Sequence, residues 1–332
     1  MTDAGILLLD KAAGPTSFHA IAALRRLLGI KKIGHAGTLD PFASGLLPVA
    51  FGHATGALGD LLGLDKTYQA RLRLGQSTDS GDPTGVVTDE RPVPAGLSAG
   101  DYAGLKLVLK NLTGVSMQTP PMHSARKVAG KRLYEYARAG VDVARQARPI
   151  EIHELTLGDV QPLGDFLDVE LEMHVSSGTY VRQLAVDIGT QLALPAHLVA
   201  LRRTSVGPFR VEQAYRLDDW FDEFNRLGRD SLQFRRYLDR VAAVLPLRAA
   251  YFRHPVLTLT AAEARLAMHG RPLTVAPERL PASVETGQRI VLDYNGVDLA
   301  LAAVGATDGG RRLTMKKVWS QDESIFGTDT VR

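Results

Sequence analysis

The chain has 332 residues, 45% of them hydrophobic and 23% charged, which is typical of a soluble globular protein of about two domains. It contains no cysteine, which excludes disulfides, thiolate zinc sites, iron–sulfur clusters and cysteine nucleophiles, and no apolar run of about 18 residues that would cross a membrane. The first residues lack a basic leader, so we expect no signal peptide and a cytoplasmic protein.

The net charge is only +3, but the charges are segregated along the chain. Residues 11–39, 116–134 and 196–211 contain no acidic residue, and each stretch holds several lysines or arginines. Such segregation is typical of a cationic face that binds phosphates. Solvated helices and loops would give the same pattern, so charge alone leaves both interpretations open.

The first predicted elements are a short strand and a helix. Residues 5–9 form an apolar run typical of a buried strand, and Thr16 or Ser17 caps a following helix that Gly29 ends. Residues 33–52 are rich in glycine and proline, and we predict no long element there.

Two later segments alternate as strands do. Residues 68–74 predict a half-buried strand, and residues 167–175 give the clearest strand signal in the chain. Between them, residues 77–88 predict a solvated turn. We predict helices at 101–111 and at 133–138.

Helical spacing of Leu184, Ile188 and Leu192 predicts a further helix after residue 178. Strands and helices thus mix without a regular βα repeat. This favours an α+β fold with a substantially antiparallel sheet over a doubly wound fold.

The pattern changes after about Leu245. Thr260 and Glu263 form a capping box, and Asn295-Gly296 lies between two apolar runs as in a hairpin. Residues 313–319 predict another strand. This part therefore reads as a small, mostly β module.

The chain lacks common cofactor and metal motifs. It has no GxGxxG, no P-loop and no HExxH, and its nine histidines are scattered without metal-ligand spacing. Each histidine is better interpreted as a surface or core residue than as a ligand. We therefore predict no cofactor and no metal, with any catalysis coming from carboxylate, hydroxyl, histidine or lysine groups.

Residues 34–45, GHAGTLDPFASG, are the most informative segment. Their glycines allow strained turns and close approach to a ligand, and Pro41 restricts Asp40 to extended conformations. Taken alone, Asp-Pro is typical of a turn in which the carboxylate caps its own backbone. A fixed catalytic carboxylate is the alternative.

Residues 34–49, GHAGTLDPFASGLLPV, closely resemble the active-site motif of the TruB family of pseudouridine synthases. Further landmarks follow in family order, and together they span residues 5–210: LLLDK (7–11), GPTS (14–17), DKTY (65–68), LGQSTD (74–79), PPMHSARK (120–127), KRLYEYAR (131–138), SGTYVR (177–182), AHL (196–198) and LRR (201–203). Two positions depart from the family pattern. Ala12 replaces the usual proline, and His123 stands where tyrosine is common.

The resemblance implies an α+β fold with a mixed, largely antiparallel central sheet of the pseudouridine synthase type in residues 1–245. It implies an RNA-binding thumb inserted at about residues 116–150. Residues 246–332 would form a small, mostly β, PUA-like domain.

The resemblance also implies the reaction: a uridine in the T-loop of tRNA, at position 55, becomes pseudouridine without a cofactor or guide RNA. Asp40 would be the catalytic carboxylate, kept ionised by Arg182. Whether it attacks the sugar, attacks the base or abstracts a sugar proton stays open. We expect tRNA as the partner, no membrane, and a monomer without an obligate protein partner.

The same resemblance implies roles for other residues. Tyr68 would stack on the flipped uracil and assist removal of the C5 proton, Tyr180 would pack against the nucleotide, and Leu201 would present backbone groups to the base. His35 would fill the space that the flipped base leaves. Phosphate contacts are expected from Lys11, Lys66, Arg126, Lys127, Lys131 and Arg132.

Three alternatives remain at this level. One is a guide-RNA-dependent enzyme acting on ribosomal RNA, and another is a catalytically silent protein that binds or folds tRNA. A carbohydrate hydrolase using Asp40 is more distant, because no second acid of the required pair is evident.

Overall fold

The computed structural model describes residues 3–98, 101–122, 124, 127–128, 130–307, 310–320 and 323–326. Its strands are β1 (Gly5–Lys11), β2 (Ile33–His35), β3 (Ser44–Phe51), β4 (Lys66–Leu74), β5 (Gln76–Thr78), β6 (Val87–Glu90), β7 (Gly114–Gln118), β8 (Lys127–Val128), β9 (Lys131–Arg132), β10 (Arg148–Leu163), β11 (Phe166–Val175), β12 (Ala196–Val206), β13 (Phe209–Arg210), β14 (Tyr215–Arg216), β15 (Val256–Thr258), β16 (Leu273–Val275), β17 (Arg289–Tyr294), β18 (Val297–Thr307) and β19 (Gly310–Val318). The helices are α1 (Ser17–Leu28), α2 (Leu58–Leu62), α3 (Ala95–Ser98), α4 (Ala103–Leu112), α5 (Leu133–Arg138), α6 (Val181–Gln191), α7 (Leu217–Arg226), α8 (Ser231–Arg240) and α9 (Ala261–Met268).

Ten strands form one large sheet in the order β14-β1-β3-β12-β4-β11-β10-β7, with β2 added to β3 and β13 to β12. The β1–β14 and β3–β12 pairs are parallel, and the remaining pairs are antiparallel. The predicted α+β fold with a mixed, largely antiparallel sheet is therefore confirmed. Strand β4 lies at its centre, between β12 and β11.

Helices α1, α4, α6, α7 and α8 pack on this sheet, and their apolar sides contribute to its main core. Leu24 of α1 and Ile188 of α6 are fully buried there with Leu72 of β4. Helix α1 begins and ends where the sequence predicts. The Thr16 side chain accepts a hydrogen bond from the His19 amide, and Gly29 adopts a left-handed conformation with φ 66°.

The prediction of irregular backbone for residues 33–52 is wrong, because they contain β2 and the eight-residue strand β3. Strand β3 lacks the alternation of a half-exposed strand because both of its faces are covered. Leu47 and Val49 enter the main core, whereas Leu46 and Ala50 enter a second cluster on the opposite side. The long strands β10 and β12 and the helices α7 and α8 also went unpredicted.

A second sheet, in the order β15-β17-β18-β19-β16, forms a separate mostly β domain with α9 packed on it. The predicted capping box at Thr260 and the hairpin around Asn295-Gly296 are both present. This domain contacts the part of the chain that carries the large sheet, because Trp319 stacks on Tyr251 with ring centroids 5.0 Å apart. A boundary after residue 245 stays a prediction.

No helix within the described ranges is long and apolar enough to cross a membrane.

Candidate active site

A cavity of about 590 Å³ opens between the loop before β3, strands β4 and β12, and the start of α6. Six of the residues predicted from the sequence line it: Asp40, Lys66, Tyr68, Tyr180, Arg182 and Leu201. A larger cavity of about 700 Å³ includes Gln69 and Arg71 of β4, but it shares only Leu201 with this set. The grouping of reactive side chains, and not cavity size, marks the candidate site.

Asp40 and Arg182 form a two-point ion pair at the wall of this cavity. Arg182 Nε donates to Asp40 Oδ2 at 2.8 Å, and Nη2 donates to Oδ1 at 3.2 Å. The Arg182 side chain is only 5% exposed, whereas that of Asp40 is 34% exposed. Bidentate bonding fixes the plane of the carboxylate while one side of it stays accessible from the cavity.

The alternative interpretation of Asp40, a turn residue whose carboxylate caps its own backbone, does not fit this geometry. The main chain does turn here, because the Asp40 carbonyl accepts a hydrogen bond from the Ala43 amide at 3.1 Å. Both carboxylate oxygens, however, accept from Arg182.

Arg182 is itself held by the loop between β5 and β6. Its Nη1 donates to the Ser80 carbonyl at 2.9 Å and lies 3.6 Å from Asp82 Oδ2. Asp82 is buried, and its Oδ1 accepts hydrogen bonds from the Ser80 hydroxyl and from the Thr84 amide and hydroxyl. The loop predicted as a solvated turn therefore supplies a second carboxylate that orients Arg182.

Burial raises the pKa of Asp40 above its ordinary value, and the nearby Asp82 carboxylate raises it further. Arg182 and Lys11 oppose this rise without cancelling it. The expectation that Arg182 simply keeps Asp40 ionised is thus incomplete. A carboxylate with a raised pKa is a stronger base and nucleophile than an exposed one.

The backbone around Asp40 is fixed from the side of α1. The Ser17 hydroxyl accepts from the Leu39 amide at 2.9 Å and donates to the Leu39 carbonyl at 3.1 Å. Lys11 Nζ reaches the Pro41 carbonyl at 3.4 Å, and the Gly14 amide donates to the same oxygen at 2.7 Å. Both neighbours of Asp40 are therefore anchored.

Arg203 fixes the loop from the other side. Its guanidinium is buried and donates to the carbonyls of Leu46 at 2.7 Å and Gly37 at 2.9 Å. Gly45 has φ 104°, and a Cβ there would lie 2.3 Å from the Arg203 carbonyl oxygen. Only glycine allows this close approach of β3 to β12.

Lys11 and Lys66 do not fit their expected role in phosphate binding. Lys11 is 2% exposed and donates to the carbonyls of Ala12 and Pro15, both at 2.8 Å, as well as to that of Pro41. Lys66 is 6% exposed and donates to the carbonyls of Leu62 and Leu64.

Burial lowers the pKa of each of these two lysines to about 8. These ammonium groups are internal braces, with Lys66 also lining the cavity. In the acid-free stretch 196–211, two arginines are likewise engaged within the protein, since Arg203 is buried and Arg202 pairs with Asp10.

The predicted base-contacting residues surround the cavity. Tyr68 lies on β4 opposite Arg203 of β12 and Met173 of β11, with its side chain toward the cavity. Tyr180 precedes α6, and the Gln118 side chain accepts from its amide at 2.8 Å and donates to its carbonyl at 3.2 Å. Gln118, at the base of the predicted thumb, thus positions Tyr180.

His35 lies on β2 and does not line the cavity. Its Nδ1 is buried without a hydrogen-bond partner among the described residues. Burial and the nearby Arg203 lower its pKa, so the ring is neutral at physiological pH.

The predicted thumb is described only in part. Arg126 and His123 lie outside the described residues, as do the side chains of Lys127 and Arg132. Lys131 is exposed on β9, which pairs with β8. The expected phosphate contacts of this segment stay predictions.

Two known family models match consecutive parts of the chain. Residues 25–181 match the model of the TruB family pseudouridylate synthase N-terminal domain, and residues 182–250 match that of the tRNA pseudouridylate synthase B C-terminal domain. The tRNA pseudouridine synthase B of Thermobifida fusca (strain YX) is 42% identical over 81% of this chain and 86% of that protein. The chain belongs to the TruB family.

Other TruB relatives match over still more of the chain. The tRNA pseudouridine synthase B of Burkholderia pseudomallei (strain 668) is 41% identical over 92% of this chain and 94% of that protein. Among solved structures, a Cbf5-Nop10-Gar1 complex contains a chain with TM-score 0.67 and 27% identity, covering 95% of this chain and 85% of that one.

A TruB-like fold is also seen in an H/ACA RNP bound to a substrate RNA containing 2'-deoxyuridine. It has TM-score 0.67, 24% identity, and coverage of 95% of this chain and 85% of that one. At this identity the likeness concerns the fold alone.

Several residues of the site carry no signal in the sequence. Asp82 stands among ordinary turn residues, and Gln118 ends a strand with no polar partner nearby in sequence. Ser17 and Arg203 lie in family landmarks, but the local sequence indicates only a helix cap for Ser17 and no particular role for Arg203. Their partners are distant in the chain, so only the folded arrangement reveals them.

Proposed function

We propose that this TruB-family protein isomerises the uridine at position 55 in the T-loop of tRNA to pseudouridine, using Asp40 as nucleophile and no guide RNA or cofactor. The observation that carries the proposal is the Asp40–Arg182 pair at the wall of a cavity of about 590 Å³. Among the described residues that line this cavity, Asp40 is the only acid.

The reaction needs a carboxylate and little else. The C1′–N1 glycosidic bond breaks with its electron pair on N1, the freed uracil turns in place, and its C5 bonds to C1′. The C5 proton then leaves and N1 takes up a proton, so the product is an isomer of the substrate. Asp40 can attack C1′ or stabilise positive charge on it while the bond breaks, as carboxylates do in glycosidases. Arg182 holds the carboxylate in one orientation, so no reorganisation is required at the moment of reaction.

The base must leave its loop to reach this cavity, at a cost of a few kcal/mol. Tyr68 offers a flat face on which the extruded uracil stacks, and Tyr180 and Leu201 also line the cavity. The neutral His35 ring on β2 suits stacking in the space that the base leaves. Bound uracil stays confined between these walls while it turns.

The similarity to named relatives supports transfer RNA as the substrate. Proteins named tRNA pseudouridine synthase B share 41–42% identity with this chain, whereas the complexes of Cbf5 and the H/ACA RNP share 24–27%. The basic residues predicted for the thumb supply phosphate contacts to a folded RNA arm. An intact Asp40–Arg182 pair argues against a catalytically silent RNA-binding protein. We expect a monomer that acts alone.

The test uses purified protein and unmodified tRNA transcribed with tritium at C5 of uridine. We expect release of one tritium per tRNA without added RNA, and mapping of the product to position 55. A transcript carrying cytidine at position 55 is the matched control and should release none. Dependence on a guide RNA, or modification at another position, would overturn the substrate assignment.

A further inference from the structure

A cluster of three potential metal ligands lies on the large sheet, away from the catalytic cavity. It consists of Asp65, His153 and His174, and one donor atom from each lies within 4.8 Å of the other two. Asp65 Oδ2 is 3.6 Å from His153 Nε2, and the two imidazole rings lie with centroids 4.7 Å apart. The three side chains are far apart in sequence, which hides the cluster from a search for metal motifs.

Three neighbouring strands bring these side chains together. His174 on β11 pairs with Thr67 of β4, and Asp65 comes directly before β4. His153 is the extra residue of a β-bulge in β10, because Ile152 pairs with Val175 while Glu154 pairs with His174. A bulge re-aims the side chain that it carries, here toward the β11 histidine.

The donor set suits a divalent transition-metal ion. Two imidazoles and one carboxylate are a common protein ligand set for zinc, with a solvent molecule in the fourth position. Donors at roughly 2.0–2.2 Å from a tetrahedral ion lie about 3.3–3.6 Å from one another. The distance of 3.6 Å between Asp65 Oδ2 and His153 Nε2 lies at the upper end of this range. All three donor atoms lie within 4.8 Å of one another, so metal binding requires side-chain rotation to bring them to ligand spacing.

A second carboxylate orients one of the ligands. Glu151 Oε1 lies 3.5 Å from His153 Nδ1, the ring nitrogen opposite the one that faces Asp65. Metal-bound histidines usually donate their other ring N–H to such a carboxylate, which fixes the tautomer and aims the lone pair at the ion. Glu151 is placed for this role.

The cluster is accessible. Asp65 and His174 line a cavity of about 480 Å³ beside the second domain, where Arg253 also lies. Arg210 lines the same cavity, but its guanidinium donates to the carbonyls of Gly207 and Phe209. An ion can therefore reach Asp65 and His174 from this cavity, and His153 is exposed.

We propose that Asp65, His153 and His174 bind one divalent transition-metal ion, such as Zn²⁺, which ties β10 to β4 across β11. The site is separate from the catalytic one, because Thr67, the partner of His174, and Tyr68 point to opposite faces of β4. Bound metal stabilises the packing of these three strands and takes no part in the chemistry at Asp40.

The test is isothermal titration of the chelator-treated protein with Zn²⁺, together with the visible absorption spectrum after Co²⁺ addition. We expect one equivalent of tightly bound Zn²⁺, tetrahedral Co²⁺ bands, and a higher Tm in the presence of Zn²⁺. His153→Gln and His174→Gln should each weaken binding at least tenfold and abolish the rise in Tm, while Glu151→Gln should weaken binding about tenfold.

His19→Gln, which alters an exposed histidine on α1, is the matched control and should leave all three readings unchanged. Circular dichroism checks that the variants are folded. Wild-type protein that lacks the Co²⁺ bands, or that binds Zn²⁺ no more tightly than the two ligand variants, would overturn the proposal.

Discussion

The two faces of β4 use polar groups in different ways. On one face, Tyr68 looks into a cavity where the Asp40 carboxylate is already fixed by Arg182 and only partly exposed to solvent. On the other, contacts are looser: Asp65 Oδ2 lies 3.6 Å from His153 Nε2, and Glu151 Oε1 lies 3.5 Å from Nδ1 of the same ring. The catalytic carboxylate is thus held in place before substrate arrives. The side chains of the histidine cluster, by contrast, reach ligand geometry only when the proposed metal ion binds.

This contrast has an energetic meaning. A fixed dipole or ion pair in a sheltered site costs no rearrangement when charge develops on the substrate, which is where much catalytic power arises. Burying Asp40 also costs folding free energy, as its raised pKa indicates. Disturbing the cavity face should therefore alter the rate, and disturbing the cluster face should alter metal affinity and stability.

The largest effect is expected from Asp40→Asn. The amide cannot act as a nucleophile, so kcat should fall by more than about 10³-fold, the scale seen when a nucleophile is removed. Affinity for tRNA should change little, because the amide keeps the shape of the side chain. Tritium release in single turnover and a filter-binding assay measure the two quantities.

Asp89→Asn, at an exposed position on β6, is the control for this substitution and should keep normal turnover. Near-normal product formation by Asp40→Asn would refute the catalytic assignment.

Arg182→Lys should lower kcat by about 10²-fold. Lysine keeps the positive charge but loses the two-point contact that fixes the carboxylate plane. Arg73→Lys is a matched control, since Arg73 makes the same kind of bidentate pair with Asp168 at 2.7 and 2.9 Å. Equal rates for the two variants in the tritium assay would show that bidentate geometry at Asp40 is irrelevant.

Asp82→Asn should lower kcat roughly tenfold, because Arg182 loses one anchor but keeps the Ser80 carbonyl. It should also shift the pH profile. Activity requires ionised Asp40, so kcat/KM falls as pH drops through the raised pKa of that group. Removing the Asp82 charge removes a repulsion and lowers the pKa of Asp40, so the acid limb moves to lower pH.

Measuring kcat/KM against pH tests this shift, with Asp89→Asn again as the control. An acid limb that stays in place, or moves to higher pH, would contradict the electrostatic role of Asp82.

The smallest effect is expected on the RNA-binding surface, from Lys127→Glu combined with Lys131→Glu. Each lost phosphate contact should make the dependence of log affinity on log salt shallower by about one, so the affinity loss is largest at low salt. The kcat at saturating tRNA should stay unchanged. Lys106→Glu with Lys110→Glu, on exposed positions of α4, is the charge-matched control for a salt series of binding assays.

Some elements with one solvated face could be predicted from the sequence, although the amphipathic helices α7 and α8 were not. The alternation in residues 68–74 and 167–175 marks β4 and β11 correctly, and Thr16 and Gly29 mark the ends of α1. Strand β3 was not predicted because both of its faces are buried, which removes the alternation of apolar and polar residues.

The candidate site was predictable only through the family motif. Locally, Asp40 before Pro41 fits a turn equally well, and Tyr68 fits an ordinary core position. Asp82 and Gln118 act through partners about 60 or more residues away, in contacts that no local pattern encodes. The same holds for His153 and His174, whose sequence spacing matches no metal motif although adjacent strands place them side by side.

The most direct test is a crystal structure of the Asp40→Asn variant bound to an unmodified tRNA T-arm hairpin. We predict the target uridine extruded into the cavity, its base on Tyr68, and its C1′ within about 3.5 Å of the residue 40 side chain, the separation of reacting atoms in a productive complex. A uridine that stays stacked in its loop, or that binds with C1′ turned away from residue 40, would contradict the catalytic role of Asp40.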